Sequence, residues 1–177
     1  MALVKGNARS SSALDATILT GNLPAISGAS LTGVSAGKVL QHVHNNIGSG
    51  DKTTTSSTFS DVSGVNLTIT PSATSSKILL LLNTNMLQST NQNYWMLRWE
   101  RDIGGTSTTF GSGTYGLSHA RAAQDYDFWG GVGMTYLDSP NTTSAVTYTV
   151  QMASSSGTAS FGVNNTPSDI IAYEIGA

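Results

Sequence analysis

Three groups of side chains stand at spacings that could support chemistry. His42 and His44 form an HxH pair, and on an extended strand residues two apart share a face and lie about 6.5–7 Å apart. Both imidazoles then point the same way, and three chains meeting at an axis would gather six ring nitrogens, enough for an octahedral transition metal. The ordinary alternative is two surface or interface histidines, because the motif occurs once. Carboxylates pair as Glu100 with Asp102 and as Asp125 with Asp127. A glycoside hydrolase needs two carboxyls about 5–9.5 Å apart around a sugar cleft, one of them with a raised pKa. Extended spacing meets the distance, but nothing in the pattern supplies the cleft. Arg98 and Arg101 beside Glu100 and Asp102 point instead to charge pairing at a strand end. Tyr126, Phe128 and Trp129 could present flat ring faces to a receptor or glycan; Trp95 and Trp99, four apart, are more simply read as core. No nucleophile elbow, phosphate-cradling glycine loop or zinc pattern occurs. Neither catalysis nor a cofactor is expected.

Composition narrows the partners. Of 177 residues, 25 are Ser, 23 Thr, 12 Asn and 19 Gly, while Lys plus Arg is 8 and Asp plus Glu is 10. A net charge of -2 leaves no clustered basic face to neutralise phosphates, so nucleic-acid binding is not expected. With Gly added to the 38% hydrophobic fraction, the apolar share falls in the globular range. Absence of cysteine removes disulfides and thiolate metal sites. The longest apolar run, residues 78–82, is far below the roughly 20 residues of a membrane-spanning helix, and residues 1–12 lack a signal-peptide apolar core. Neither membrane insertion nor conventional secretion is expected.

The elements that must position these side chains are strands. Residues 38–47 alternate with His42 and His44 on one face, and residues 65–69 alternate before Pro71. Residues 77–82 are apolar on both faces, the pattern of a central strand covered on both sides. Residues 94–101 place Trp95, Leu97 and Trp99 inward, and residues 132–137, 145–153, 159–163 and 169–175 complete the set. About eight strands, turn-separated and without a convincing helix, predict an all-β fold: an antiparallel β-sandwich or jelly roll over residues 38–177. Residues 102–131 have little regular pattern and read as a long loop.

Residues 1–37 differ. Leu19-Thr-Gly21 returns as Leu31-Thr-Gly33, and Leu19, Leu23, Ile26, Leu31 and Val34 stand singly among Gly, Ser, Thr and Pro. One isolated aliphatic residue per turn cannot offset an ordering entropy of about 1–2 kcal/mol per residue. Three copies winding together would bury these residues against each other, which makes the segment an extended N-terminal stalk or arm and the chain a homotrimer; a flexible linker is the plainer reading.

The order of several motifs carries a resemblance. Ala36-Gly-Lys-Val-Leu-Gln41, residues 65–71 followed by Ser72-Ala-Thr-Ser-Ser-Lys-Ile-Leu-Leu80, Tyr136-Leu-Asp-Ser-Pro140 and Ile171-Ala-Tyr-Glu-Ile175 together resemble a family of bacteriophage virion proteins from marine and cyanobacterial phages, often described as tail fibres. The stretch Leu19-Thr-Gly-Asn-Leu-Pro-Ala-Ile-Ser-Gly-Ala-Ser-Leu-Thr-Gly33 is similar to the repetitive shafts of such fibres. The resemblance implies a virion structural protein with a β-rich head on a short stalk, anchored to other tail or capsid proteins through residues 1–37 and able to meet a host surface glycan. A stalk this short leaves capsid decoration, cement or a head fibre as the alternative, with a polysaccharide depolymerase more distant.

Overall fold

β-Branched and aromatic residues alternating with Ser, Thr and Asn favour strands with one wet and one buried side. The computed structural model describes residues 39–48, 50–89, 92–123, 126–164 and 166–176. The candidate anchor residues Leu19, Leu23, Ile26, Leu31 and Val34, and Asp125, lie outside them. Among the described residues there are eleven strands and no helix: β1 (Val39–Gly48), β2 (Lys52–Thr54), β3 (Ser60–Ile69), β4 (Lys77–Gln88), β5 (Tyr94–Ile103), β6 (Thr106–Phe110), β7 (Ser118–Arg121), β8 (Phe128–Asp138), β9 (Val146–Ser154), β10 (Ala159–Phe161) and β11 (Ser168–Ile175).

The strands form two antiparallel sheets. One runs β1-β11-β4-β10-β2, with β8 along the other edge of β4; the second runs β3-β9-β5-β6, with β7 pairing the start of β5. The fold is thus an all-β antiparallel sandwich. Its core lies where the sheets face each other: Ile78, Leu80, Leu82 and Met86 of β4 and Val132 and Met134 of β8 on one side, Trp95, Leu97 and Trp99 of β5 and Tyr148, Val150 and Met152 of β9 on the other. Trp99, Tyr148, Leu97 and Leu80 are fully buried. The inward reading of Trp95, Leu97 and Trp99 holds for that reason.

Two expectations need correction. Residues 102–131 are not one long loop, because β6 and β7 both pair with β5 within this stretch. Their exposed Thr, Ser and His residues carry no apolar alternation, so hydrogen bonding to β5, not burial, makes them strands. Nor is β4 covered on both faces by the described residues: Leu79 and Leu81 remain half-buried on the outer side.

Candidate functional site

Because β1 alternates, His42 and His44 share the outer face of the six-stranded sheet. His44 Nε2 lies 2.8 Å from Asp169 Oδ1, which also accepts a hydrogen bond from Asn46 Nδ2 at 3.0 Å. The His42 ring packs 6.0 Å from that of Tyr173. No group of three or more His, Cys, Asp or Glu gathers among the described residues.

Antiparallel register arranges the outer face in rows. Val39, Ile175 and Lys77 form the first; His42, Tyr173, Leu79 and Leu137 the second; His44, Ile171, Leu81 and Thr135 the third; Asn46, Asp169, Asn83 and Gly133 the fourth. Val39 is 55% exposed and Leu137 51%, and Tyr173, Ile171, Leu79 and Leu81 are half-buried. With strands about 4.8 Å apart and like-facing residues about 6.8 Å apart, the first three rows cover about 300–400 Å². That area lies within the roughly 300–600 Å² of the largest apolar patch on a typical monomer, a size that is often functional.

The aromatic trio is divided. Trp129 points outward beyond Leu87 and edges an open cleft of about 240 Å³ with Asn85, Gly131 and Asn164. Tyr126 is 73% exposed. Phe128 turns inward, where its ring leans over Gly130 against the core.

Glu100 and Asp102 share the outer face of the five-stranded sheet, each held by its own hydrogen-bond partners. Glu100 accepts hydrogen bonds from Ser107 Oγ at 2.9 Å and Gln151 Nε2 at 2.5 Å, and Asp102 caps the Gly105 N–H at 3.1 Å. The expected pairing of Arg101 with these neighbours does not occur. Consecutive strand residues point to opposite faces, so Arg101 enters the sandwich and donates to both oxygens of Asp138 at 2.9 and 3.0 Å. Tyr148 donates to the same carboxylate at 2.7 Å, and burial followed by this hydrogen bond pushes its phenol pKa far up. The triad ties β5, β8 and β9 together across the two sheets.

A second buried carboxylate fixes the opposite flank. Glu174 is fully buried and accepts hydrogen bonds from Ser72 N at 2.7 Å, Ser72 Oγ at 2.6 Å and Gln41 Nε2 at 2.6 Å. Burial alone would raise its pKa, but the hydrogen bonds from Ser72 and Gln41 outweigh it and hold the carboxyl down at about 2. Gln41 also donates to Thr70 O at 2.6 Å. The edge strand β1, and with it one side of the apolar rows, is therefore locked to the β3–β4 turn and to β11.

One cluster escaped sequence reasoning. On the outer face of the five-stranded sheet, β5 and β7 bring Tyr94 and His119 together, and residues 112–116 set Tyr115 over both. The ring centroids lie 4.9 to 6.0 Å apart, and an open cleft of about 470 Å³ lies beside them. The signal available was Tyr115 itself, an aromatic residue set in Gly-Ser-Gly-Thr-Tyr-Gly.

No family model matches the chain, and no curated protein does. Among solved structures it is similar to a chain of the T13 particle of infectious bursal disease virus, at 11% identity over 86% of this chain and 39% of that one, with a TM-score of 0.39. It is also similar to the VP2 subviral particle of the same virus, at 15% identity over 88% of this chain and 43% of the other, with a TM-score of 0.33. The chain spans about two fifths of the length of these proteins.

Proposed function

We propose that the chain is a non-enzymatic virion structural protein: the head of a short homotrimeric fibre or adhesin, held to the particle through residues 1–37. The observation that carries this reading is the apolar outer face of the six-stranded sheet, which no described segment covers. Its occupant is the same face of the other two copies. Two features support that choice over a foreign partner. The 38 residues that precede the described chain end at Val39, in the first apolar row, so three chains joined through their N-terminal segments would converge beside this face. Within the three rows Lys77 is the single residue with a permanent charge, so like faces can meet without burying opposed charges. The patch is smaller than the roughly 800 Å² per partner of a standard interface, and residues 1–37 would supply the remainder. The opposite sheet, with its Thr-rich face and aromatic cluster, is then displayed outward. The motif order resembling phage virion proteins supports the same assignment.

Cryo-EM reconstruction of virions of the encoding phage tests it. Trimeric density in few copies at the tail or baseplate is the expected result. Many copies on the head would reassign the chain to capsid decoration, and absence from purified particles would overturn a virion role.

A further inference from the structure

We propose that the cleft beside Tyr94, Tyr115 and His119 is a binding site for a neutral saccharide. Its first feature is a ring surface built for stacking. Tyr115 and His119 lie nearly parallel, with centroids 4.9 Å apart at 29°, and Tyr94 closes the cluster at 5.4 Å from Tyr115 and 6.0 Å from His119. Tyr115 is 42% exposed although it belongs to this cluster. An aromatic face left open in this way suits the C–H face of a pyranose ring, which is apolar on one side and rimmed by hydroxyls.

The second feature is the lining. Met96, 4% exposed, forms the floor beside Tyr94, while Ser57, Thr114 and Ser155 contribute hydroxyls around it. An apolar base with a few polar groups at its margin is the usual make-up of a small-molecule site, and about 470 Å³ falls in the usual range of about 300–1,000 Å³. Among the described residues no acidic or basic side chain lines the cleft. Arg121 stands 5.6 Å from the Tyr94 ring centroid and already donates to Gln92 O at 2.9 Å and to Gln92 Oε1. Such a lining favours an uncharged ligand over a phosphate or a sialic acid.

The third feature is rigidity. Residues 112–116 close on themselves through reciprocal backbone hydrogen bonds between Ser112 and Gly116, each 3.0 Å, and Leu117 N donates to Leu97 O at 2.8 Å. The hairpin lies so close to β5 that a Cβ on Gly116 would fall 2.2 Å from Leu97 O, and one on Gly111 would fall 2.6 Å from Gly116 C. Glycine at both positions lets the hairpin dock, and docking fixes Tyr115 before any ligand arrives. A preformed ring platform loses less entropy on binding than a mobile loop.

The assignment shares the outward-display reading given above, yet its test is independent of particle location. Saturation-transfer NMR on the full chain would use methyl α-glucoside, methyl α-galactoside, N-acetylglucosamine, lactose and cellobiose at millimolar concentration, with sialyllactose as the charged arm. The expected result is saturation of ring C–H protons in at least one neutral sugar, with affinity reduced about tenfold or more by Tyr115→Ala and kept by Tyr115→Phe and Trp129→Ala. Tyr115 is exposed, so an unchanged circular dichroism spectrum is expected to accompany the loss. Silence from every neutral sugar, signals that survive Tyr115→Ala, or transfer to sialyllactose alone would each overturn the proposal. Binding by a protein missing from virions would sink the virion role and leave this site standing.

Discussion

The two sheets turn opposite kinds of outer face to their surroundings. On the five-stranded sheet the rows read Asn66, Thr149, Glu100, Thr109 and then Thr68, Thr147, Asp102, Ser107. Tyr115 stays open at the edge of that face, while two of its apolar residues are covered by the chain, Met96 and Ala153 at 4% and 0% exposed. Residues 55–59 cross there, held by Ser154 N to Ser56 O at 2.8 Å and by Phe59 under the Arg98 guanidinium at 4.2 Å. On the six-stranded sheet the corresponding positions are Tyr173, Leu79, Leu137, Ile171 and Leu81, with no described segment laid across them. An antiparallel sheet with one solvated face is expected to be polar on it. One sheet obeys that rule over these rows; the other breaks it over several strands, and the proposed association through that face rests on this difference.

The largest effect should come from making the apolar face resemble the polar one. Leu79→Asp with Leu137→Asp places two carboxylates in the second row, and each face would have to desolvate them to associate. We expect light scattering of the parent at micromolar concentration to give about 55 kDa, three chains of 18.4 kDa, and the double variant to fall to the mass of one chain. A parent that already weighs one chain would break the comparison at its base. Deleting residues 1–36 should weaken the trimer while leaving the face able to associate at higher concentration.

Next in size is a change inside the displayed face. Gly116 has φ +67° and no room for a side chain against Leu97 O, so Gly116→Ala should cost about 3 kcal/mol through strain and undocking of the hairpin. That corresponds to a melting temperature lower by about 10 °C in calorimetry, with Tyr115 released and the trimer mass unchanged. A third variant, Glu174→Gln, loosens the frame beneath the apolar rows and should cost about 2 kcal/mol. The sign of its pH dependence follows from the lowered pKa. The folded state holds Glu174 ionised down to about 2 against an ordinary value of 4.5, so its stabilisation is complete above pH 4.5 and is lost as the pH falls toward 2. In urea titrations across that window the parent should lose stability more steeply than Glu174→Gln; equal slopes would show that the carboxylate is not what locks β1.

Period-two alternation made β1, β3, β5, β8 and β9 legible in the sequence, because burial on one side leaves a pattern in the chain; a continuous apolar run marked β4, and β10 and β11 read as shorter strands. β2, β6 and β7 were not legible, since short strands of exposed Thr, Ser, Lys and His acquire their identity from pairing partners distant in sequence. The partner of Arg101 was hidden for the same reason: Asp138 is 37 positions away and reaches it only across the sandwich. The order of motifs, by contrast, has a physical basis. Gln41, Ser72 and Glu174 belong to three separate motifs and meet at one buried carboxylate, and the fourth motif supplies Asp138 to the other. Those segments identify the frame. The Tyr115 cleft lies outside all four motifs, so their resemblance could not point to it.

The smallest expected effect sharpens the contrast from the polar side. Thr68 and Thr147 face each other across β3 and β9 with their hydroxyls 2.8 Å apart, exposed to water. Changing both to Val removes donor and acceptor together and leaves no buried group unsatisfied. Val fits a strand at least as well as Thr, so stability should move by no more than about 0.5 kcal/mol. The added methyl groups make this face slightly more apolar, yet a face that is not an interface gains no partner from two scattered methyls, and the trimer mass should stay constant. A shift to a different mass would show that the Thr-rich sheet also takes part in assembly, and the assignment of one face to association and the other to display would then be wrong.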